Sequence, residues 1–172
     1  MLGLDLSRLD REGQVQVEAA IPADDELWEE MEFGFGGAVQ VELTGMWAGS
    51  GEVVVRGSIR APILQKCRRC LDPVPSEFDE EVTLVFVAAP DPEDQHIGDD
   101  GVRFYEPGTG TLDLSIAVRE EIVLATDRFV VCDPECKGLC PKCGTNLNED
   151  SCDCTFDEPD PRWDALRSLQ SE

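Results

Sequence analysis

The sequence predicts an α+β fold with a mainly antiparallel β-sheet, one or two packing helices and a cysteine-rich metal-binding loop. Apolar and polar residues alternate in four segments of the first half, which is the period of half-buried strands. One later segment repeats its apolar residues at helical spacing. Six of the eight cysteines then lie between positions 132 and 154, a dense supply of soft ligands for a metal ion.

The expected strands follow one another along the first half of the chain. They cover residues 15–21, 39–43, 53–63 and 78–86. The second and third flank a glycine-rich turn at 49–51, so they should pair as an antiparallel hairpin. Between the first two strands, residues 24–31 carry acidic side chains near their start, where a helix favours them. We expect a short acidic helix there.

The second half begins with a loop and a short strand. Residues 90–101 are acidic, contain proline and lack a period, which predicts a mobile loop. A short strand is expected at 102–105. Asp113 can cap a helix near 113–125, because the apolar residues that follow it fall on one helical face.

The chain length suits one domain of ordinary size, or one domain with a small metal-bound lobe. Near the C-terminus, Asp160 as cap and Pro161 at the first helical position start another short helix. The sequence therefore divides into a strand-rich core at 1–131, a zinc-binding loop at 132–154 and a C-terminal segment with a short helix at 155–172.

The overall charge is strongly negative. The chain has 37 acidic and 14 basic residues, a formal net charge of -23. Proteins that bind nucleic acids usually carry a basic surface, since phosphate contacts supply much of their affinity. Weak binding to naked RNA is therefore expected. The acidity suits either a basic partner, such as a ribosomal protein, or a solvated surface in a salty cytoplasm, and the sequence leaves both open.

Whether the eight cysteines bind metal or form disulfides depends on the cellular compartment of the protein. Residues 1–9 lack the basic start and apolar centre of a signal peptide. No apolar run approaches the roughly 18 residues that a membrane span needs. We therefore expect a cytoplasmic protein without membrane association, in which clustered cysteines bind metal in preference to forming disulfides.

The motif Cys140-Pro-Lys-Cys143-Gly is the strongest metal signal in the chain. Its glycine allows the sharp turn that points both thiols at one ion. Two more ligands should come from Cys132, Cys136, Cys152 and Cys154, and we favour Cys136 and Cys152. Four thiolates suit a closed structural Zn²⁺ site. A disulfide framework and an iron–sulfur cluster are the alternatives.

A second cysteine pair interrupts the strand region. Cys67 and Cys70 could complete a second metal site or act as a redox dithiol. Lys66, Arg68 and Arg69 surround them as the one dense basic cluster of the sequence. These three side chains could contact RNA phosphate, or they could balance the negative charge of metal-bound thiolates.

Catalytic motifs are absent from the sequence. No P-loop, GxGxxG or HExxH string occurs, and the single histidine, His96, falls in the acidic loop. We therefore expect no enzyme activity and no small-molecule substrate. A ribonuclease and a dithiol redox enzyme or sensor that uses Cys67 and Cys70 remain the alternatives.

Several strings resemble the YceD family, from about Val53 to Leu169. The most specific is CKGLCPKCGTNLN at 136–148, followed by Cys-Asp-Cys at 152–154. The CRRCL string at 67–71 also fits. So do the Leu-Asp-Leu start of the helix at 112–114 with its end at 120–124, and the closing Asp-Pro-Arg at 160–162.

The resemblance implies a cytoplasmic bacterial protein, with plastid relatives, that is needed for accumulation of 23S ribosomal RNA. It implies no established catalytic residues and a stabilising role for the metal. We accordingly expect a non-catalytic factor in large ribosomal subunit biogenesis, which supports 23S RNA synthesis, processing or stability. Its expected partner is a large-subunit ribosomal precursor or a basic ribosomal protein.

Overall fold

Eight strands and two helices make up the computed structural model, which describes residues 2–49, 51–89 and 101–155. The strands are β1 Gly3–Asp5, β2 Gln14–Ile21, β3 Gly34–Phe35, β4 Val39–Trp47, β5 Val53–Lys66, β6 Pro73–Ala88, β7 Arg103–Tyr105 and β8 Thr111–Asp113. The helices are α1 Leu6–Glu12 and α2 Ser115–Ala125. Residues 90–100 of the predicted loop and the predicted C-terminal helix lie outside the described residues.

The main sheet has the order β2-β4-β5-β6-β7, with β3 paired to β5. All its pairs are antiparallel except β6 with β7, so the predicted mainly antiparallel α+β fold is confirmed. The predicted β4–β5 hairpin is also confirmed, with Trp47 opposite Val53. The β5–β6 ladder runs from Val53 opposite Phe86 to Lys66 opposite Pro73. Its closed end carries Cys67 and Cys70.

One face of this sheet forms the core. The alternation of apolar residues that predicts the strands places Val41, Val55 and Leu84 inside, together with Leu114 and Ile122 from the region of α2. Polar residues at the intervening positions face outward. The sheet is thus covered on one side by helices and by the β1–β8 pair, and is open on the other.

The N-terminal unit β1–α1 is an element that the sequence patterns did not predict. The carboxylate of Asp5 caps α1 by accepting from the amide of Arg8 at 2.8 Å. Gly13 ends the helix in the left-handed conformation, at φ 79°. Leu4 from β1 packs directly against Gly45 of β4, where an added Cβ would meet its side chain at 2.6 Å.

Two of the predicted helices need correction. Within residues 24–31 there is a single 3₁₀ turn, Glu26–Trp28, which Asp25 caps. Glu29 is extended and Glu30 has a left-handed φ of 62°, so the helix does not continue. The helix α2 begins at Ser115, because Leu114 takes the cap position. The Asp113 carboxylate instead accepts from the Ser115 amide at 2.9 Å. No helix in the described part of the chain is long and apolar enough to cross a membrane.

Candidate metal centres

The turn between β5 and β6 folds into a cysteine knuckle. The Cys67 amide donates to the Asp72 carbonyl at 2.8 Å, and the Leu71 amide donates back to the Cys67 carbonyl at 3.0 Å. Leu71 adopts φ 64°, the left-handed conformation that such a turn requires. The Arg69 amide lies 3.4 Å from the Cys67 sulfur, so it can stabilise a thiolate there.

The first quartet consists of Cys67, Cys70, Cys132 and Cys136. Their four sulfur atoms lie within 4.8 Å of one another. The Cys67–Cys136 sulfur distance is 3.8 Å and the Cys70–Cys132 distance is 3.5 Å. Both exceed a disulfide bond by far. Three of these cysteines are buried and Cys132 is exposed.

The second quartet consists of Cys140, Cys143, Cys152 and Cys154, again with all sulfurs within 4.8 Å. Its knuckle repeats the first: the Gly144 amide donates to the Cys140 carbonyl at 2.8 Å, and the Cys140 amide donates to the Thr145 carbonyl at 2.8 Å. Gly144 has φ 76°. This quartet is nearer the surface, because Cys143 is exposed and Cys152 and Cys154 are half-buried.

Backbone and side-chain hydrogen bonds hold the two quartets together. The Leu139 amide donates to the Arg69 carbonyl at 3.0 Å, which ties the two knuckles to each other. The Arg69 guanidinium donates from Nη1 to the carbonyls of Pro134 and Cys136. Asn148 Nδ2 lies 3.3 Å from the Cys136 sulfur and is a donor to it. The segment 132–154 is therefore fixed to the closed end of the β5–β6 hairpin.

The geometry of both quartets fits one tetrahedral metal ion each. Four sulfurs at about 2.3 Å from a central ion are about 3.8 Å apart, and the measured distances in the first quartet are close to this. A four-cysteine set also leaves no open coordination position. The two clusters could thus hold metal ions that stabilise the fold.

The thiols differ in how readily they lose a proton. Hydrogen bonds from backbone amides, first that of Cys70, lower the pKa of Cys67 to about 6. The Thr145 side chain, 3.1 Å from the sulfur, is the main cause that lowers the pKa of Cys143 to about 6. The neighbouring Cys143 thiol and burial raise the pKa of Cys154 to about 12. Each quartet therefore contains a thiol disposed to ionise near neutral pH, as metal binding requires.

The structure changes the ligand set that the sequence favoured. Cys140, Cys143 and Cys152 share one quartet, but Cys154 takes the fourth place and Cys136 lies in the other quartet. The reason is the tie between Leu139 and Arg69, which places the chain before Cys140 against the β5–β6 turn. The eight cysteines form two groups of four, which is the alternative that the sequence left open.

The basic cluster around the first knuckle is not a uniform patch. Arg69 is directed at the metal-binding segment, as described above. Arg68 donates from Nε to the Arg128 carbonyl at 2.7 Å and forms an ion pair with Glu32 at 3.6 Å. Lys66 is exposed at the end of β5. Contact between these side chains and RNA stays a prediction, and His96 lies outside the described residues.

Sequence reasoning missed the residues that support the ligands. Asn146 donates from Nδ2 to the Asp72 carboxylate at 3.1 Å, and the Asn148 carbonyl oxygen accepts from the Lys137 amide at 2.8 Å. Both asparagines belong to the TNLN string at 145–148, directly after the second knuckle. Short polar side chains at that place are a signal for local hydrogen bonding to the backbone.

Fold and quartets together define a β-rich protein whose antiparallel sheet carries a pair of four-cysteine clusters at one hairpin end. The family model described as large ribosomal RNA subunit accumulation protein YceD matches residues 55–170. This match covers the sheet from β5 onward and all eight cysteines. The chain belongs to the YceD family.

Curated relatives agree with this assignment. A protein of Mycobacterium tuberculosis is 32% identical over 115 residues, which cover 66% of this chain and 54% of the relative. Arabidopsis thaliana has a relative named large ribosomal RNA subunit accumulation protein YCED homolog 1, chloroplastic, 28% identical over 140 residues, covering 67% of this chain and 44% of the relative. The chain spans about half the length of the curated relatives it matches. No solved structure matches it.

Proposed function

We propose that this protein is a non-catalytic factor in large ribosomal subunit biogenesis that supports 23S ribosomal RNA synthesis, processing or stability in the cytoplasm. The observation that carries the proposal is the family match over residues 55–170. The printed name of the chloroplast relative, a large ribosomal RNA subunit accumulation protein, points the same way.

A structural Zn²⁺ in each quartet is the second part of the proposal. Zinc prefers four thiolates in a tetrahedron, and it has no redox chemistry that would disturb a fold-stabilising site. The first ion would join the β5–β6 turn to Cys132 and Cys136, which are distant in sequence. The second would close the segment 140–154 on itself. Both metals would stabilise the segment 132–154 at the closed end of the β5–β6 hairpin.

The open face of the sheet supports a basic partner. Strand register places Glu18 opposite Glu42, Glu42 opposite Ser58 and Ser58 opposite Glu81, so three carboxylates lie in one row across four strands. All three glutamates are exposed. Glu18 and Glu42 lie directly opposite each other, where like charges cost stability in a sheet, and Arg60 pairs with Glu42 at 3.7 Å. A basic ribosomal protein, free or in a precursor particle, would add positive charge to this row when it binds.

Enzyme activity is the alternative function that the sequence left open. The redox version would use Cys67 and Cys70, but both thiols are buried within a quartet. A ribonuclease would need a protected acid and base pair, and no carboxylate side chain in the described part of the chain is buried. These features support a binding function over turnover.

A deletion strain tests the proposal. We expect too little 23S RNA and fewer complete large subunits, both restored by the wild-type gene. The triple substitution of Glu18, Glu42 and Glu81 by glutamine should restore them poorly, and the purified variant should bind a basic large-subunit protein less tightly. Normal 23S levels in the deletion strain, together with RNA cleavage by the pure protein, would refute the assembly-factor function.

A further inference from the structure

A cleft of about 610 Å³ lies beside the first quartet. Its walls are the segment 30–33, the β5–β6 turn and the C-terminal end of α2 with the residues that follow. Sites for small molecules typically have volumes of roughly 300–1,000 Å³. The cleft is therefore large enough to admit one unit of a polymer or a compact ligand.

Positive charge is concentrated in this cleft. Four cationic residues line it, Lys66, Arg68, Arg119 and Arg128, against three acidic ones, Glu30, Glu32 and Asp127. The lysine, arginine, aspartate and glutamate side chains of the lining sum to one positive charge, and the Cys67 thiolate in the same wall offsets it, in a chain whose net charge is -23. A cleft without net negative charge in so acidic a chain is a place where an anionic ligand meets little repulsion.

Two of the cations are available for a ligand. Arg68 pairs with Glu32, and Arg119 donates from Nη2 to the Glu29 carbonyl at 2.7 Å. Within residues 2–49, 51–89 and 101–155, no ion pair or side-chain hydrogen bond engages the Lys66 ammonium or the Arg128 guanidinium. Both are well placed to contact phosphate.

An exposed aromatic ring, Phe129, directly follows Arg128 in the sequence and lies next to Arg68, just outside the residues that line the cleft. Phe129 is 80% exposed, although its loop is well anchored. Its amide donates to the Asp127 carboxylate at 2.8 Å, and the Asp127 carbonyl accepts from Gln65 Nε2 at 2.7 Å. The Arg68 guanidinium lies 5.9 Å from the ring centre. A large apolar side chain held in solvent by a fixed loop suggests a contact surface.

Leu71 adds a second apolar group to the lining of the cleft. It is 57% exposed and has a left-handed φ of 64°, at the position that Gly144 occupies in the second knuckle. A leucine is strained in this conformation relative to glycine. Strained backbone at an exposed residue motivates the hypothesis that this side chain makes a functional contact.

From these observations we infer that the cleft binds single-stranded RNA. One base stacks on the Phe129 ring at the side of Arg68 and Arg128, Leu71 provides an apolar contact within the cleft, and the flanking phosphates meet Lys66 and Arg128. Stacking on an aromatic ring next to cationic side chains is the general way in which proteins hold unpaired nucleotides. The choice of RNA as the polymer rests on the proposed function, while the stacking and phosphate contacts rest on the cleft itself.

The negative charge of the whole chain sets the strength of this contact. Repulsion between the protein and RNA acts over about a Debye length, so free RNA should bind weakly, and binding should be measured near 0.1 M salt, where that length is about 10 Å. The acidic row of the open sheet face would bind a basic protein, and the cleft would bind the RNA. A ribonucleoprotein could thus be contacted at two separate surfaces.

Fluorescence anisotropy with the full-length, metal-loaded protein tests the inference. The probe is a labelled oligouridylate of about 10 nucleotides, within the usual site size of single-strand binders. Phe129→Ala should weaken binding by about tenfold, as expected for the loss of one stacked base. The control Leu124→Ala removes an equally exposed apolar side chain, 74% exposed on α2, and should change nothing.

Further variants distinguish the loss of a contact with RNA from the loss of folding. Leu71→Gly should weaken binding by a few fold while metal content and unfolding midpoint are retained. Lys66→Gln and Arg128→Gln should each weaken it, whereas Arg56→Gln, on the open face of the sheet, should not. Uridine monophosphate should compete only at much higher concentration than the oligonucleotide, because it offers a single phosphate.

Several results would overturn the inference. It fails if Phe129→Ala binds as the wild type does, if the monophosphate binds as tightly as the oligonucleotide, or if a basic peptide displaces the probe by occupying the cleft. The deletion strain distinguishes this failure from that of the proposed function. Normal 23S RNA levels in the deletion strain, together with Phe129-dependent binding of the oligonucleotide, would refute only the proposed function. A 23S RNA defect without Phe129-dependent binding would refute only RNA binding by the cleft.

Discussion

Leu71 and Gly144 occupy the same position in two equivalent knuckles. Each adopts a left-handed backbone, at φ 64° and 76°, and each donates its amide to the carbonyl of the cysteine four residues earlier. In both knuckles that cysteine in turn donates its amide to the carbonyl five residues later. One turn geometry thus serves both quartets, with a glycine in one and a leucine in the other.

Leu71→Gly is the first prediction that follows from this equivalence. The left-handed conformation carries little strain for glycine, so the free energy of unfolding should stay the same or rise by up to about 1 kcal/mol. The reciprocal Gly144→Leu should lower it by about 1–2 kcal/mol. Urea unfolding of both metal-loaded variants measures this. A large loss of stability in Leu71→Gly would show that leucine is needed for packing.

Gly57→Ala is predicted to be far more damaging. Gly57 lies in the centre of β5, opposite Leu43, and an added Cβ would overlap the carbonyl oxygen of Glu42. Because this neighbour is backbone within a sheet, it has no room to move aside. We expect a loss of about 3 kcal/mol or more, or failure to fold.

A matched glycine provides the control for this prediction. Gly34 lies in β3, and an added Cβ there meets nothing within 4 Å. Gly34→Ala should therefore change the unfolding free energy by no more than about 0.5 kcal/mol. Circular dichroism during thermal unfolding measures both variants. Equal stability of the two would contradict the close approach of β5 to β4.

The strands could be predicted because their period is a property of the sequence itself. Val41, Val55 and Leu84 lie inside, as the alternation requires. The unit β1–α1 is short, and its helix has only two buried residues, Leu6 and Leu9, so no pattern of sufficient length marks it. Its stability comes from the pairing of β1 with β8, a contact between distant parts of the chain.

The grouping of the cysteines could be predicted from the sequence only in part, for a similar reason. The spacing identifies Cys140 and Cys143 as one pair and Cys67 and Cys70 as another, since each pair shares a local turn. It does not reveal which remaining cysteines join each pair. That choice depends on the contact between Leu139 and Arg69, which brings together residues 70 positions apart. Only the fold determines such a distant contact.

Metal content is the third prediction. Two quartets should give about two zinc ions per chain in protein purified without added metal, whereas a single shared site would give one. Cys70→Ser should lose one equivalent, and Cys154→Ser should lose the other. Elemental analysis counts zinc and iron together. One equivalent in the wild type, or iron with visible absorbance in place of zinc, would contradict the prediction.

The last prediction separates the two interpretations of the basic cluster. Arg69 donates from Nη1 to the carbonyls of Pro134 and Cys136, at 3.0 and 2.9 Å, so its guanidinium holds the segment that supplies two ligands of the first quartet. Arg69→Gln should therefore lose zinc from the first quartet about tenfold faster when a chelator is added. Arg69→Lys should restore retention only in part, because an ammonium also has N–H donors for both carbonyls but ends a shorter side chain than the guanidinium.

Lys66→Gln is the matched comparison, since Lys66 is adjacent to the same knuckle and lies on the cleft side. It should retain zinc at the wild-type rate and lose affinity for the oligouridylate. Arg69→Gln should show the opposite pattern, provided that oligonucleotide binding is measured before metal is lost. Chelator kinetics and anisotropy on the same two preparations measure both properties. If Lys66→Gln released zinc quickly while Arg69→Gln lost only RNA affinity, the roles assigned to these two side chains would be reversed.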